Sequence, residues 1–151
     1  MAKEIEKKFL LADGASIPIP AKYARFKIKQ AYLLAEKGKQ IRIRLTKDKA
    51  VITIKYTGNI VRDEYEYGIP MKDGKEIYKK CELKLEKDRL TFSRDNVHYD
   101  VDTFINGIVF VEVEFKSLRD MKKWVKPSWL GKEITNDKKY SNIVLAKQLS
   151  K

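Results

Sequence analysis

The chain has 151 residues, of which 43% are apolar and 36% are charged. This length and composition suit one folded domain and exclude both a disordered chain and a chain embedded in a membrane. Lys and Arg number 33 against 21 Asp and Glu, so the net charge is +12. Because so large a surplus repels itself, it indicates an anionic partner: nucleic acid, acidic lipid headgroups or a small polyphosphate.

Single copies of Cys and His limit the chemistry further. Cys81 and His98 stand alone, which excludes an intrachain disulfide and a Cys/His zinc site. The longest apolar run, residues 31–35, is too short to span a bilayer, and the first residues lack the pattern of a secretory signal. We therefore expect a cytoplasmic protein. No GxGxxG or GxxxxGK motif occurs, so side chains must hold any bound phosphate.

Most of the chain has the period-two alternation that is typical of strands. The predicted strands are residues 4–11, 27–34, 40–46, 51–56, 61–69, 85–92, 97–104 and 109–115, with turns at 37–39, 47–49, 57–59 and 106–107. Three helices are expected: one capped by Asp73 through residue 83, one capped by Ser117 to residue 125, and one capped by Asp137 through residue 149. Eight strands in hairpin order with a few helices predict a mainly β, closed antiparallel barrel.

Each predicted strand has one apolar and one charged face, since alternate residues point the same way. In the third strand, for example, Ile41 and Ile43 alternate with Arg42 and Arg44. The ordinary interpretation is that the charged face meets water. The three helices also need an apolar surface to cover, however, which favours apolar residues outside and charged residues lining a wide interior.

The charges on this face are also sorted by sign, whereas a solvated face usually mixes them. Acidic pairs occur at residues 4 and 6 and at 112 and 114, and a basic block lies at residues 42, 44 and 55. Buried charges are costly unless they are paired or bind ions. Clustered carboxylates suit Mg²⁺ or Mn²⁺, and Arg matches phosphate oxygens bidentately. The pattern therefore indicates a site for a metal ion and a polyphosphate.

The segment EIEKKFL at 4–10 resembles the ExExK signature of the CYTH, or triphosphate tunnel metalloenzyme, family. Further segments resemble other strands of that family in order: QAYL at 30–33, IRIR at 41–44, TIK at 53–55, EYEY at 64–67, EKDR at 86–89, VDTF at 101–104 and VEVE at 111–114. WLGKEIT at 129–135, with Tyr140, Asn142 and Leu145 beyond it, resembles the closing segment. Eight strand matches in order make the resemblance specific over most of the chain.

The resemblance implies an eight-stranded antiparallel tunnel with charged residues inside. It implies that a divalent cation, Mg²⁺ or Mn²⁺, is held by Glu4, Glu6, Asp102, Glu112 and Glu114. It also implies that a triphosphate is held by Lys8, Arg42, Arg44, Lys55, Lys87 and Arg89. Glu64 and Glu66 are expected as ion-pair partners or outer metal contacts, and Tyr32 and Asp100 are further candidates.

Catalytic roles are expected for Glu6, Lys8 and Lys55. A bound metal lowers the pKa of water, so the expected nucleophile is water activated by the metal at Glu4, Glu6 or the Asp102 group. Lys8 would act as a general base only with a strongly depressed pKa. Its acidic neighbours oppose that shift, so we expect Lys8 to orient phosphate.

Several activities fit this family, and fold alone does not choose among them. A small domain of this kind best fits an inorganic triphosphatase that splits tripolyphosphate into diphosphate and phosphate. A class IV adenylyl cyclase and a thiamine triphosphatase are the alternative enzymes.

A nucleic-acid-binding module is the alternative from another class, and it would need exposed aromatic side chains among basic ones. Here Phe9, Tyr56, Tyr65, Tyr67 and Phe115 share the apolar face, which predicts that they are core. Nucleic acid is therefore disfavoured as a partner, as is a membrane. The expected partner is a small polyphosphate, and the expected state is a monomer or a homodimer.

Overall fold

The computed structural model describes residues 3–56 and 60–150. These residues form nine strands, three α-helices and a short 3-10 helix. The strands are β1 (Lys3–Leu11), β2 (Ala24–Glu36), β3 (Lys39–Leu45), β4 (Ala50–Tyr56), β5 (Val61–Ile69), β6 (Leu83–Arg94), β7 (Val97–Phe104), β8 (Val109–Glu114) and β9 (Leu130–Glu133). The helices are α1 (Met71–Lys80), α2 (Leu118–Lys123) and α3 (Asn142–Leu149), with the 3-10 helix at Lys138–Tyr140.

Eight of the strands close into the predicted antiparallel barrel. The hydrogen-bonded order is β5-β4-β3-β2-β6-β7-β8-β1, and a further β5–β1 pairing completes the ring. The turn predicted at 57–59 lies outside the described residues. The ninth strand, β9, pairs with β1 and was not predicted, because LGKE is too short to show an alternation.

The strand register confirms the predicted division of the faces. Directly opposed residues of neighbouring strands point to the same side of the sheet. Lys8 lies opposite Glu112, whereas Phe9 lies opposite Val111. The charged positions therefore share the inside of the barrel and the apolar positions share the outside.

Two clusters of apolar side chains cover the outer surface. One joins Phe9, Val111 and Val113 to Trp124 and Trp129, which follow α2 in the chain. The second lies beneath α1 and includes Ile43, Leu45 and Ala50. The predicted need for an apolar outer surface beneath helices is thus met by α1 and by the segment around α2.

The helix boundaries differ from those predicted. Helix α1 begins at Met71 after Pro70 and ends at Lys80, so Asp73 lies in its first turn and is not its cap. Proline presets the backbone at the start of a helix, and an acidic side chain there still suits the helix dipole. Helix α2 has the predicted cap, since Ser117 Oγ accepts from the Asp120 amide, but it ends at Lys123.

The third predicted helix is divided in two. Asp137 caps only the 3-10 helix, and Ser141 Oγ then accepts from the Val144 amide to begin α3. This helix does not lie on the outer wall. Its residues Leu145 and Ala146 pack with Ile134 against tunnel-facing side chains at one end of the barrel: Tyr32, Leu85, Phe104 and Phe110. We call these seven residues the apolar plug.

Three tyrosines correct another expectation. Phe9 and Phe115 are buried as predicted, but Tyr56, Tyr65 and Tyr67 are 46%, 38% and 59% exposed. Their assignment to the core is wrong. Helix α1 packs at the end of β3 and β4 marked by Leu45 and Ala50 and leaves these tyrosines uncovered.

Candidate active site in the tunnel

The barrel interior holds a cavity of about 1160 Å³. Its walls include nearly every residue proposed from the sequence: Glu4, Glu6, Lys8, Tyr32, Arg42, Arg44, Lys55, Glu64, Glu66, Lys87, Arg89, Asp100, Glu112 and Glu114. Asp102 is the exception, since it is 1% exposed and does not line the cavity. One tunnel therefore brings together side chains that are up to 110 positions apart in the chain, from Glu4 to Glu114.

Charges inside the tunnel are nearly balanced. Among the described residues, seven cationic and eight anionic side chains occupy tunnel-facing positions of the strands. The cationic set is Lys8, Arg42, Arg44, Lys55, Arg62, Lys87 and Arg89. The anionic set is Glu4, Glu6, Glu64, Glu66, Asp100, Asp102, Glu112 and Glu114. The surplus of positive charge in the chain thus lies outside the tunnel.

A crowded carboxyl pair connects β1 and β8. Burial raises the pKa of Glu6 well above its usual range, and the charge of Glu112 and a hydrogen bond to it act in the same direction. Burial alone would also raise the pKa of Glu112, but Arg89 and Lys87 hold it well below its usual range. The pKa values of the two carboxyl groups are thus shifted in opposite directions, and a bound cation would relieve the repulsion between them.

Next to this pair, the ammonium group of Lys55 occupies the centre of an acidic cluster. Its Nζ lies 2.9 Å from Glu4 Oε2, 3.5 Å from Glu64 Oε2 and 3.9 Å from Glu6 Oε1. The oxygens Glu4 Oε2 and Glu64 Oε2 are buried, and despite these ion pairs neither has a donor in hydrogen-bond geometry. Both oxygens therefore keep lone pairs that a cation could use.

This donor set fits a hard divalent cation in its chemistry, because such ions prefer carboxylate oxygens. Over residues 3–56 and 60–150, no three acidic, His or Cys side chains are gathered closely enough to hold an ion as they stand. Lys55 engages three of the carboxylates, so a cation bound at this cluster would compete with its ammonium group.

Asp102 is engaged by two cations. Arg89 donates to it from Nε at 2.7 Å and from Nη2 at 2.8 Å, and Lys87 Nζ lies 2.8 Å from its Oδ2. Lys87 also donates to Asn142 Oδ1 at 3.2 Å, and burial lowers its pKa to about 7. Both oxygens of Asp102 are therefore occupied in orienting the two cations.

Lys8 is held by a backbone carbonyl and lies over an aromatic ring. Its Nζ donates to the Tyr140 carbonyl at 2.7 Å and lies 4.3 Å from the centroid of the Phe110 ring. Burial lowers the pKa of Lys8, although Glu112 and Glu6 act to raise it. The acidic neighbours that are visible in the sequence act to raise this pKa. The apolar plug, which is not visible in the sequence, removes water from the ammonium group and lowers the pKa.

The two arginines of β3 have different partners. Arg44 donates from Nε and Nη2 to Gln30 Oε1 at 3.3 and 3.2 Å, and burial lowers its pKa to about 10. Arg42 is 9% exposed and has no ion pair to any carboxylate in the described part of the chain. A buried guanidinium without a counter-ion is suited to receive an anionic ligand.

Several tunnel residues escaped the sequence analysis. Arg62 lies 3.4 Å from Glu6 Oε1, and it has the same strand parity as Glu64, which could have revealed it. His98 is hydrogen-bonded to Asp100 at 2.9 Å and faces the tunnel, opposite Glu114.

Tyr32 does reach the tunnel. Its hydroxyl accepts a hydrogen bond from Gln30 Nε2 at 2.7 Å, while its ring belongs to the apolar plug. Gln30 therefore connects Tyr32 with Arg44. No signal in the sequence distinguishes this buried glutamine from a surface one.

The strands form a closed antiparallel barrel, and acidic and basic side chains face one another inside it. These features define the class of tunnel proteins that are suited to bind polyanions. The chain belongs to the CYTH domain family, whose model matches residues 2–143. None of the helices in the described ranges is long and apolar enough to cross a membrane.

Two curated relatives and one solved structure are similar over nearly their whole length. The chain is 37% identical to an inorganic triphosphatase of Acetivibrio thermocellus over 153 residues, covering 97% of this chain and 95% of the relative. It is 31% identical to an inorganic triphosphatase of Nitrosomonas europaea, covering 95% and 96%. A crystal structure of an inorganic triphosphatase superposes with a TM-score of 0.66 at 28% identity, covering 97% of this chain and 95% of the other.

Proposed function

We propose that this protein is an inorganic triphosphatase that hydrolyses tripolyphosphate to diphosphate and phosphate inside the tunnel, with a divalent cation. The observation that carries the proposal is a single cavity in which an unpaired buried Arg42 and further cations face a crowded carboxyl cluster. The relatives described as inorganic triphosphatases support the same reaction.

The substrate is held by the cationic wall. Arg42 and Arg44 offer planar guanidinium groups that match phosphate oxygens, and Arg89 is held in place by Asp102. Glu6 and Glu4 raise the pKa of Lys55 despite its burial, so its ammonium group stays charged. Lys55 therefore neutralises phosphate charge and does not take part in proton transfer. These fixed charges orient the chain and stabilise negative charge as the anhydride bond breaks.

The carboxylates Glu4, Glu6, Glu112 and Glu114 would hold Mg²⁺ or Mn²⁺, with Glu64, Glu66 and Asp100 as outer contacts. The bound cation would neutralise phosphate charge and lower the pKa of water. Because its pKa is raised, Glu6 would bind the cation in competition with a proton, and the cation's charge would relieve the repulsion between Glu6 and Glu112. The resemblance also assigns Asp102 to the metal, but its two ion pairs favour a role in anchoring Lys87 and Arg89.

Lys8 and Lys87 both line the cavity, and burial lowers the pKa of each. Lys87 Nζ is held by Asp102 and Asn142, so Lys8 is the lysine assigned to hold or move a proton in the reaction. Water attacks the terminal phosphorus and gives a proton to the neutral form of Lys8, the bond to the bridging oxygen breaks, and diphosphate leaves with its charge neutralised by the arginines. Lys8 is therefore assigned a catalytic role alongside its contact with phosphate.

The experiment that tests this function is a phosphate-release assay on tripolyphosphate, ATP, thiamine triphosphate and diphosphate, with Mg²⁺, Mn²⁺ or a chelator. We expect turnover of tripolyphosphate with a divalent cation and none in excess chelator. Conversion of ATP to cyclic AMP, or preferred hydrolysis of thiamine triphosphate, would replace the proposed substrate. Full hydrolysis in chelator would overturn the metal requirement.

We also propose a cytoplasmic location and a monomeric or homodimeric state. The single Cys81 is a free thiol, which suits a reducing compartment. Size-exclusion chromatography with light scattering distinguishes the two assembly states, and a trimer or larger assembly would contradict both.

A further inference from the structure

Besides Glu4 Oε2 and Glu64 Oε2, two buried polar atoms at tunnel-facing positions have no hydrogen-bond partner within the described residues. One is Thr53 Oγ1, on a residue that is 1% exposed, and the other is Arg42 Nε, on a residue that is 9% exposed. Arg42 on β3 lies directly opposite Thr53 on β4. Opposed residues in an antiparallel pair have Cβ atoms about 4.5–5.5 Å apart, so these two side chains are immediate neighbours.

Packing alone does not explain a threonine at this position. Leaving a buried hydroxyl without a partner costs stability, and valine would fill the same volume without that cost. A guanidinium Nε can only donate, whereas a hydroxyl can accept. The two unsatisfied atoms are therefore complementary to each other.

We propose that Thr53 is a positioning residue for Arg42. When a phosphate occupies the tunnel, the Arg42 guanidinium turns toward it, and Nε–H donates to Thr53 Oγ1. The two terminal nitrogens then lie free to grip two phosphate oxygens, which is the geometry that makes arginine selective for phosphate. Thr53 does not line the cavity, so it acts through Arg42 and not on the substrate itself. This inference rests on the proposed binding of tripolyphosphate at Arg42.

The test compares Thr53→Val, Thr53→Ser, Arg42→Ala and the double variant Thr53→Val/Arg42→Ala. We expect Thr53→Val to raise the KM for tripolyphosphate about tenfold, the value of one hydrogen bond to a charged group, with a smaller change in kcat. Thr53→Ser keeps the hydroxyl and should restore a KM near wild type.

The double variant should match Arg42→Ala, because the hydroxyl has nothing left to position. Thr103→Val, at an exposed position of β7, is the matched control and should change nothing.

Thermal melting separates positioning from a structural role. Without ligand, Thr53→Val should melt at the wild-type temperature or above it, because an unsatisfied buried hydroxyl is gone. The increase in Tm caused by tripolyphosphate should nevertheless be smaller than in wild type. If the valine variant does not fold, Thr53→Ala tests the rise in KM and the smaller ligand-induced increase in Tm, although its ligand-free Tm should fall because a buried methyl group is lost.

A lower Tm of ligand-free Thr53→Val with unchanged KM would overturn the proposal in favour of a structural role. Additive effects in the double variant would also overturn it, since they would mean that Thr53 contacts substrate directly. If Arg42→Ala itself leaves KM and kcat unchanged, the proposed substrate site is wrong, and the positioning role falls with it. These three results are distinct, so each failure identifies the step at fault.

Discussion

Glu6 gives the ligand-free tunnel its own response to pH. The pKa of Glu6 is raised well above the ordinary value of 4.5 in the folded chain, mainly by burial and by Glu112. For such a carboxyl, the stabilising contribution is fully present below the ordinary pKa and is lost as the pH rises through the raised pKa. The ligand-free protein should therefore lose stability from Glu6 as the pH rises above the ordinary value of 4.5 toward the raised pKa.

Glu6→Gln should remove that loss, because the amide mimics the protonated carboxyl. We expect the ligand-free variant to melt at a higher temperature than wild type at about pH 8 and at a similar temperature near pH 4. Turnover should fall by at least about a hundredfold, since a carboxylate of the proposed metal site is gone. Melting curves across this pH range check the first expectation, with Glu76→Gln on the exposed side of α1 as control. Parallel pH curves for wild type and Glu6→Gln would contradict it.

Asp102 offers a second test at this scale. Asn at this position would leave Lys87 and Arg89 without their shared counter-ion in a fully buried setting. Removing one partner of a buried ion pair typically costs about 3–5 kcal/mol. We expect Asp102→Asn to lose that much stability in urea denaturation without any metal present, and far more than Glu114→Gln. A stability difference that arises only when Mg²⁺ or Mn²⁺ is added would instead identify Asp102 as a metal ligand.

These residues also mark what sequence can and cannot reveal about the site. Strand parity was sufficient to bring Glu6, Arg42 and Lys55 to one tunnel, because a period of two fixes the face of every residue. The direction of the pKa shift of Lys8 was not accessible. It depends on burial by the apolar plug, whose residues Ile134, Leu145 and Ala146 lie in the last part of the chain.

Among the elements, α1 shows how a close approach can outweigh helix propensity. Gly74 is buried in the middle of this helix, where glycine usually costs about 1 kcal/mol relative to alanine. A Cβ at Gly74 would lie 2.5 Å from Ala50 Cβ on β4 and 3.0 Å from Leu45 Cδ2. The absence of a side chain thus sets how closely α1 packs on the barrel.

We therefore expect Gly74→Ala to destabilise the protein by about 1–3 kcal/mol despite its better helix propensity, because the contact becomes overpacked. Ala50→Gly in the same chain removes the opposing Cβ and should recover most of that loss. Urea denaturation of the two single variants and the double variant measures the coupling. Additive losses of stability in the double variant would show that the contact with Ala50 is not the reason why alanine is unfavourable at position 74.

The elements differ in how far sequence determines them. All eight barrel strands were predictable because alternation recurs along each of them. The start of α1 was misplaced because Asp73 resembles a cap, whereas Pro70 begins the helix. Strand β9 could not be predicted, because its pairing with β1 depends on a close approach of Gly131 to Leu11. A Cβ added at Gly131 would lie 2.7 Å from the Leu11 carbonyl oxygen.

At the scale of the whole molecule, the net charge of +12 is not located in the tunnel. The tunnel-facing side chains nearly cancel, so the positive surplus lies on the outer surface. Such a field attracts anions over a distance, but salt screens exposed charges much more than enclosed ones. The outer surface also exposes Tyr56, Tyr65 and Tyr67, so the sequence-based reason for disfavouring nucleic acid no longer applies.

Salt dependence separates the two uses of this charge. We expect tripolyphosphate, at a hundred times its Kd and in chelator so that it is not consumed, to raise the Tm by about 5–10 °C. The increase in Tm should be nearly the same at about 50 and 200 mM salt, because the contacts are enclosed. With metal present, kcat/KM should fall over this range, because salt screens the attraction of the substrate to the positive outer surface. A short single-stranded oligonucleotide should bind weakly, and its binding should collapse over the same range. A different result would identify the outer surface, and not the tunnel, as the functional site. In that case the oligonucleotide would raise the Tm at both salt concentrations, Tyr67→Ser would abolish that increase, and tripolyphosphate would not change the Tm.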